Sequence, residues 1–286
     1  MRRNVIDVNG FIEYLKENEK SKATIDKYAS DIVKFRDWIE ERGMKLPFAT
    51  TESAKRVAID YKEYLKHSGI KPASVNVKLA SINAYYKYKN YHTSIRYLRI
   101  QRRIFTDRSR ELSLIEYRRL VEEALNQGNY KLALIMETMA ATGMRVSELQ
   151  YITAESILND KVQVDLKNKI RTIFLPDRLR SKLCQYALDN DIDEGELFRT
   201  NRGTPMTRRQ IWQEMQEVSR GAGVARTKVF PHNMRHVFAR TYYQKCKDIA
   251  RLADVLGHSS LETTRVYIMD SGSELERQIN NLGIVS

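Results

Sequence analysis

The feature that most constrains this chain is a helical spacing of apolar residues that recurs through its first third. The offsets of three and four place one set on a single helix face, at Ile25, Tyr28, Ile32, Phe35 and Ile39. The same spacing returns in three other stretches, Phe11 to Leu15, Val57 to Leu65 and Val75 to Tyr86. The pattern therefore predicts four helices in this part of the chain.

The sequence from Ser113 onward predicts strands as well as helices. Ser113 and Glu116 have the three-residue spacing of a capping box, which predicts a helix start. Beyond them, LALIMETMAATG is typical of a buried helix that ends at Gly143. The stretches KVQVDL and RTIFLP have the alternation and the β-branched content of two strands. The tip of this hairpin is expected at Lys167, Asn168 and Lys169.

Helical spacing returns after the hairpin, near residues 179–188, 208–219 and 233–245. Gly221 and Gly223 separate the last two of these helices. Helices thus outnumber strands throughout, with one hairpin between them. The predicted fold class is mainly α with a small β-sheet (α+β).

A run of arginines lies between the two regions. The segment SIRYLRIQRRIFTDRSRE sets six arginines against two acidic residues, and the six are Arg96, Arg99, Arg102, Arg103, Arg108 and Arg110. We interpret residues 1–95 as a helical N-terminal domain, 96–110 as a basic connector and 111–286 as a second domain. The alternative is a solvated helix end. The positive charge of the whole chain favours contact between the arginines and phosphates.

Charge and composition narrow the possible partners. The chain has 49 Lys and Arg against 36 Asp and Glu, a formal charge of +13, which favours nucleic acid or an anionic membrane surface. No apolar run approaches the roughly 20 residues that span a bilayer, and the start MRRNVIDVNG lacks the apolar core of a signal peptide. A cytoplasmic location is expected.

Cys184 and Cys246 form no CxxC or Cys/His cluster, so they are interpreted as reduced packing residues and no metal is predicted.

Four short segments place polar residues beside apolar ones. They are ATGMRVSEL, the hairpin tip, FPHNMRH and LGHSSLETTRVYI, and they carry Arg145, Glu148, Lys167, His232, Arg235, His258 and Tyr267. Ordinary structural roles are available to them. Arg145 and Glu148 have the spacing of a helical ion pair, His232 could cap a helix, and His258 could bond to a nearby carbonyl. No segment decides alone between a structural and a catalytic role.

Taken together and in order, these segments resemble the tyrosine recombinases, also called phage-type integrases. The shared pattern is TG-x-R-x-SEL, a lysine on a β-hairpin, H-x-x-RH, and LGH followed nine residues later by tyrosine. The stretch KATIDKYASDIVKFRDWI is similar to the N-terminal core-binding (SAM-like) domain of that family. The resemblance covers the whole chain. It implies a Xer-like, two-domain member with a helical core-binding domain and a mixed α/β catalytic domain.

The resemblance also implies a role for each residue. It makes Tyr267 the nucleophile, Arg145 and Arg235 the catalytic arginines, His232 and His258 the two histidine positions, Lys167 the hairpin lysine and Glu148 the supporting acid. Lys169 is the alternative to Lys167, and Met234 stands where leucine is more usual.

These residue types suit attack on a phosphodiester. Two guanidinium groups can hold the non-bridging oxygens, which gain negative charge in the transition state. A tyrosine, with a reference pKa of about 10, must lose its proton, and His232 is the expected acceptor. Lys167 is the expected donor to the leaving 5′ oxygen, and His258 is expected to bond to the phosphate. A phosphotyrosyl bond conserves bond energy, so no ATP, metal or other cofactor is expected.

The function that the resemblance implies is site-specific recombination of double-stranded DNA through a 3′-phosphotyrosyl intermediate, in integration, excision, inversion or resolution. Four copies are expected to act on two recombination sites. An apolar stripe in the tail, Leu275, Ile279 and Leu282, is expected to dock on a neighbouring copy, the alternative being packing on its own domain. The other functions considered are a type IB topoisomerase, which relaxes supercoils, and a catalytically silent DNA-binding regulator.

Overall fold

The computed structural model divides into two compact units, Met1–Arg102 and Arg103–Ser286, here called the N-terminal and C-terminal units. It describes residues 6–44, 48, 50–101, 108–166, 169–269, 276–277 and 279–282. Five residues named in the sequence analysis lie outside these ranges, and they are Arg102, Arg103, Lys167, Asn168 and Leu275. Of Arg108 and Lys169 only the backbone is described.

The N-terminal unit contains the four predicted helices. They are α1 (Val8–Glu17), α2 (Lys22–Glu41), α3 (Thr51–His67) and α4 (Pro72–Tyr88). The hydroxyl groups of Ser21 and Thr50 accept hydrogen bonds at the starts of α2 and α3, which satisfies backbone donors that a helix leaves unpaired. The apolar faces meet in one core around Phe11, Phe35 and Leu79, all fully buried. Burial of these faces, rather than helix propensity, stabilises helices of this length.

Two asparagines of α4 hold the segment that follows it. The Asn83 side chain accepts from the backbone N–H of Ile95 at 2.7 Å and donates to its carbonyl at 3.0 Å. Asn76 does the same with Leu98, at 2.7 and 3.0 Å. Ile95 is thereby anchored in the core, with 3% of its surface exposed.

The C-terminal unit combines one hairpin with seven helices in its described part. The helices are α5 (Leu114–Asn126), α6 (Tyr130–Thr142), α7 (Asp177–Asp189), α8 (Arg208–Gly221), α9 (Pro231–Cys246), α10 (Ile249–Leu256) and α11 (Leu261–Arg265). The strands are β1 (Lys161–Leu166) and β2 (Lys169–Phe174), and short 3-10 helices span Arg108–Arg110, Val146–Tyr151, Ser156–Leu158 and Arg226–Lys228. The predicted fold class, mainly α with a small sheet, is confirmed.

Helix α6 forms the centre of this unit. It contacts α5, α7, α8 and α9, and its Leu132, Ile135, Met136 and Met139 are fully buried. The predicted buried helix is therefore confirmed, and it ends as expected at Gly143, whose φ of 66° is left-handed. In the part of the chain that the structure describes, no helix is both long and apolar enough to cross a membrane.

The hairpin corrects one detail of the sequence analysis. Lys169 pairs with Leu166, so it belongs to β2 and not to the tip. The register places Val164 opposite Arg171 and Val162 opposite Ile173, with both valines and Ile173 buried. Strand β2 therefore begins two residues before the predicted stretch RTIFLP and ends two residues before its end, at Phe174.

Candidate active site

Arg145 lies just after the left-handed turn at Gly143. A Cβ atom at Gly143 would come within 2.5 Å of a Phe238 ring carbon, so both the backbone angle and the packing require glycine here. The Glu148 carboxylate accepts from the Arg145 backbone N–H at 2.6 Å and from its Nη1 at 3.0 Å. The ion pair anticipated from their spacing therefore exists. The Arg145 side chain nevertheless keeps 42% of its surface exposed, which leaves room for a second anion.

Arg235, on α9, is held between two helix ends. Its Nη1 donates to the carbonyl of Gly143 at 2.5 Å and its Nη2 to the carbonyl of Leu256 at 2.7 Å. These carbonyls close α6 and α10, where helix dipoles concentrate negative charge. The side chain is only 1% exposed. Burial lowers the pKa of Arg235 to about 10 and nearby Arg145 adds to this effect, while Tyr267 opposes it.

His258 contacts Arg235 through its Nε2 atom at 2.7 Å. Since an arginine can only donate, Nε2 is the acceptor and the proton of a neutral ring resides on Nδ1. Nδ1 in turn bonds to Thr264 Oγ1 at 2.7 Å. Burial, followed by the charges of Arg235, Arg145 and Arg171, lowers the pKa of His258 to about 4. The ring is therefore neutral at pH 7.

Tyr267 is placed by a turn that follows α11, in which its N–H bonds to the carbonyl of Thr264 at 3.0 Å. The helix starts at the Ser260 cap. The phenol is 6% exposed and lies among three imidazoles. It is stacked on His258 at 5.8 Å between ring centroids, meets His236 edge-on at 4.5 Å, and is 6.1 Å from His232.

His232 begins α9 but does not cap it. The N-terminal cap position is Phe230, which makes no side-chain capping bond. The structural role considered for His232 is therefore wrong, because the ring lies one residue past Pro231, on the side of Tyr267. Desolvation and then the charges of Arg235, Arg145 and Arg208 lower the pKa of His232. This favours the neutral, proton-accepting form.

His236 was missed by the sequence analysis. It is one residue beyond Arg235 in the HNMRH box, and its ring approaches Tyr267 more closely than the other two imidazoles do. Burial, followed by His232 and Arg240, lowers the pKa of His236 to about 3. Its Nδ1 atom is buried and has no hydrogen-bond partner among the described residues. The only sequence signal was the second histidine of the box.

Arg171, on β2, was also missed. Its Nη2 and Nε bond to the two oxygens of Glu148 at 2.5 and 3.3 Å, and its Nη1 donates to the carbonyl of Val255 at 2.8 Å. Glu148 is 2% exposed and lies between Arg145 and Arg171. Burial alone would raise the pKa of Glu148, but the bonds from Arg171 and Arg145 outweigh it and leave that pKa below its usual value. The sequence did contain one signal, because Arg171 is a charged residue at a strand position that pairs with the buried Val164.

The remaining predicted residues lie elsewhere. Arg96 and Arg99 are exposed on the segment of the N-terminal unit that Asn83 and Asn76 anchor. Arg110 closes the first 3-10 helix of the C-terminal unit, and its carbonyl accepts from the buried Asn233 side chain at 2.8 Å. Lys167 lies outside the described residues, in the connection between β1 and β2.

The geometry brings Arg145, Arg235, His232, His258 and Tyr267 together around one point of the C-terminal unit. Residues 110–273 match the phage integrase family, and residues 8–91 match the N-terminal SAM-like domain of phage integrases. The chain belongs to the phage integrase family. The predicted relationship to the Xer-like tyrosine recombinases is thereby confirmed.

The sequence similarity to individual relatives extends over nearly the whole length of each protein. The chain is 27% identical over 282 residues to tyrosine recombinase XerA of Pyrococcus furiosus, covering 96% of this chain and 93% of that protein. It is 28% identical over 276 residues to tyrosine recombinase XerC of Lactobacillus delbrueckii subsp. bulgaricus, covering 90% and 92%. Among solved structures, XerH recombinase bound to a palindromic difH substrate matches with a TM-score of 0.68 at 19% identity, covering 98% of this chain and 90% of that one. The structural likeness establishes the fold.

Proposed function

We propose that this protein is a site-specific DNA recombinase that breaks and rejoins strands through a covalent tyrosine–DNA intermediate. The observation that carries the proposal is the convergence of a buried tyrosine with arginines and neutral histidines that come from distant segments of one unit. The names of the similar proteins, tyrosine recombinases XerA and XerC, agree with it. The roles that follow are our assignments.

Arg145 and Arg235 form the cradle for the scissile phosphate. Arg235 is buried and fixed by two helix-end carbonyls, so its orientation is set before DNA arrives. Arg145 is partly exposed and supplies the donors that a phosphate can reach. Charge that develops on the non-bridging oxygens is stabilised most by donors that need no reorganisation.

Tyr267 is the nucleophile. As its oxygen forms a bond to phosphorus, the bond from phosphorus to the 5′ oxygen breaks, leaving a 3′-phosphotyrosyl linkage and a free 5′ hydroxyl. The phenolic proton passes to His232, whose lowered pKa keeps it neutral at pH 7. Lys167 donates a proton to the 5′ oxygen, with Lys169 as the alternative. The linkage retains the energy needed for rejoining, so neither ATP nor metal takes part.

His258 needs one rearrangement to serve the phosphate. In the structure its Nε2 accepts from Arg235 and therefore cannot donate. We propose that an arriving phosphate, as an anion, raises the pKa of His258, so that Nε2 takes up a proton from solvent and gives up its bond from Arg235, while Arg235 keeps its bonds to the carbonyls of Gly143 and Leu256. A proton on Nε2 can then bond to a non-bridging oxygen while Nδ1 keeps its bond to Thr264.

The positive charge of the chain is compatible with DNA as the partner, and the similar XerH recombinase is bound to its difH substrate. Exposed Arg96 and Arg99, on the anchored segment after α4, are proposed to contact backbone phosphates, together with Arg102, Arg103, Arg108 and Arg110. We propose a tetramer on two DNA sites in the cytoplasm, with the tail docked on a neighbouring copy. Ile279 and Leu282 are 57% and 62% exposed, which suits a segment that is covered by another molecule.

Covalent trapping tests the function. The protein is incubated with a pool of nicked duplexes made from genomic fragments, and adducts are separated on denaturing gels. We expect an adduct with the wild-type protein, none with Tyr267→Phe, and a normal amount with Tyr243→Phe, a tyrosine of α9 that serves as a matched control.

The outcomes separate the candidate functions. An adduct that survives Tyr267→Phe would refute the nucleophile assignment. Adduct formation with relaxation of supercoils but no exchange between two sites would favour a topoisomerase. DNA binding without any adduct would indicate a silent regulator.

A further inference from the structure

We infer that Arg171 is a positioning residue for strand cleavage, which joins the hairpin, the Arg145 segment and the turn that carries His258. The inference rests on the proposed function and deepens it. Arg171 is 12% exposed, and its guanidinium faces Glu148 on one side and the end of α10 on the other. It does not reach the reacting atoms, so it acts through its neighbours.

The first link runs through Glu148. Arg171 bonds to both carboxylate oxygens, and the same oxygens accept the Arg145 side chain and backbone N–H. One buried carboxylate is thus shared by two guanidinium groups. Without Arg171, the full negative charge of Glu148 would face Arg145 alone. That charge would draw Arg145 away from a phosphate and neutralise part of its attraction.

The second link runs to His258. Nη1 of Arg171 donates to the carbonyl of Val255, in the last turn of α10, where a helix leaves its carbonyls unpaired. Gly257 follows with φ of 65°, and a Cβ atom there would lie 2.5 Å from Cδ of Arg171. The aliphatic part of Arg171 therefore packs directly against the turn that sets the backbone of His258.

The pKa of His258 provides a measurement that depends on the charge of Arg171 and not only on its packing. Burial lowers the pKa of His258 most, and the charges of Arg235, Arg145, Arg171 and His232 lower it further. The other groups on His258 are the Thr264 hydroxyl and the Tyr267 ring. Removal of the Arg171 charge should therefore raise the pKa of His258 in the DNA-free protein.

Two substitutions separate charge from shape. Arg171→Met keeps much of the aliphatic length without charge, and Arg171→Lys keeps the charge but cannot bond to both oxygens of Glu148 and to Val255 together. At saturating DNA we expect the rate of adduct formation to fall roughly 10- to 100-fold with methionine, as for small misplacements of catalytic groups. Lysine should restore the His258 pKa more fully than the rate. DNA affinity should change little in either variant.

Glu116→Ala is the control for lost stability. It removes a capping box and an ion pair with Lys228 in the same unit, and neither residue is among those that shift the pKa of His258. Its His258 titration, followed by NMR, and its cleavage rate at saturating DNA should match the wild type.

Two results must be kept apart. A wild-type protein that forms no adduct on any DNA would contradict the proposed function. A wild-type protein that forms the adduct, beside an Arg171→Met variant with the same rate and the same His258 pKa, would overturn the inference on Arg171 alone.

Discussion

Glu148→Gln is the substitution that most directly perturbs the polar network behind the site. The carboxylate is 2% exposed and lies between Arg145, which is 42% exposed, and Arg171, which is 12% exposed. Glutamine has nearly the same shape but removes the charge that both guanidinium groups face. Two arginines then remain close together with no counter-ion between them.

The magnitude follows from burial. Removing one partner of a buried ion pair costs about 3–5 kcal/mol, because the other charge stays buried and unpaired. The more exposed Arg145 pair adds at most about 1 kcal/mol. Because the glutamine oxygen can still accept a bond, we expect about 3 kcal/mol. For a unit of this size each kcal/mol shifts Tm by about 2–4 °C, so the expected loss is roughly 6–12 °C.

The contribution of Glu148 to the free energy of unfolding depends on pH. Because the pKa of Glu148 is lower in the folded protein than in the unfolded chain, this contribution is fully present above the unfolded pKa, near 4.5. It is lost as the pH falls through the folded pKa. The difference between the wild type and Glu148→Gln should therefore be constant near neutral pH and shrink in acid.

Calorimetric unfolding at several pH values measures both effects. Asp177→Asn provides the control, since its carboxylate is 94% exposed in the first turn of α7 and 3.6 Å from Arg180, and it should lower Tm much less than Glu148→Gln because such exposed charges contribute at most about 1 kcal/mol. The reasoning would be refuted if Glu148→Gln lowered Tm no more than this control, or if the difference between Glu148→Gln and the wild type grew on acidification.

Three further predictions concern packing, metal and DNA contact. Gly143→Ala should lower Tm by more than Gly43→Ala. Both positions have positive φ, but only at Gly143 would the new methyl group meet a ring carbon, that of Phe238 at 2.5 Å. Equal losses of Tm in thermal unfolding would contradict this. Adduct formation should be unchanged by EDTA, and abolition would point to a metal-dependent nuclease. Arg96→Ala and Arg99→Ala should each reduce the slope of log affinity against log salt by about 1, measured by titration at several salt concentrations; an unchanged slope would exclude phosphate contact.

Most helices could be predicted because their packing is local in sequence. The spacing from Ile25 to Ile39 specifies one buried face, and the structure buries Ile32, Phe35 and Ile39 there. The β-branched residues predicted the position of the hairpin. They did not predict where β2 begins, because Lys169 carries no strand signal of its own. Its place in β2 depends on pairing with Leu166 across the turn.

The site could be predicted only in part, because its support comes from contacts that are distant in sequence. Arg145 and Tyr267 stand in recognisable segments, whereas Arg171 meets the carbonyl of Val255 across 84 positions of the chain. Nothing in the alternation of β2 indicates which helix end it reaches. His236 is similar, since adjacency to Arg235 in sequence does not show that the two side chains face the same phenol.

The central claim is that Tyr267 carries the DNA during strand exchange. Protease digestion of the trapped protein–DNA complex, followed by mass spectrometry of the nucleotide-linked peptide, tests it most directly. The account predicts one modified peptide in which the oxygen of Tyr267 is bonded to a 3′ phosphate. A nucleotide found on any other residue, or linked through a 5′ phosphate, would contradict it.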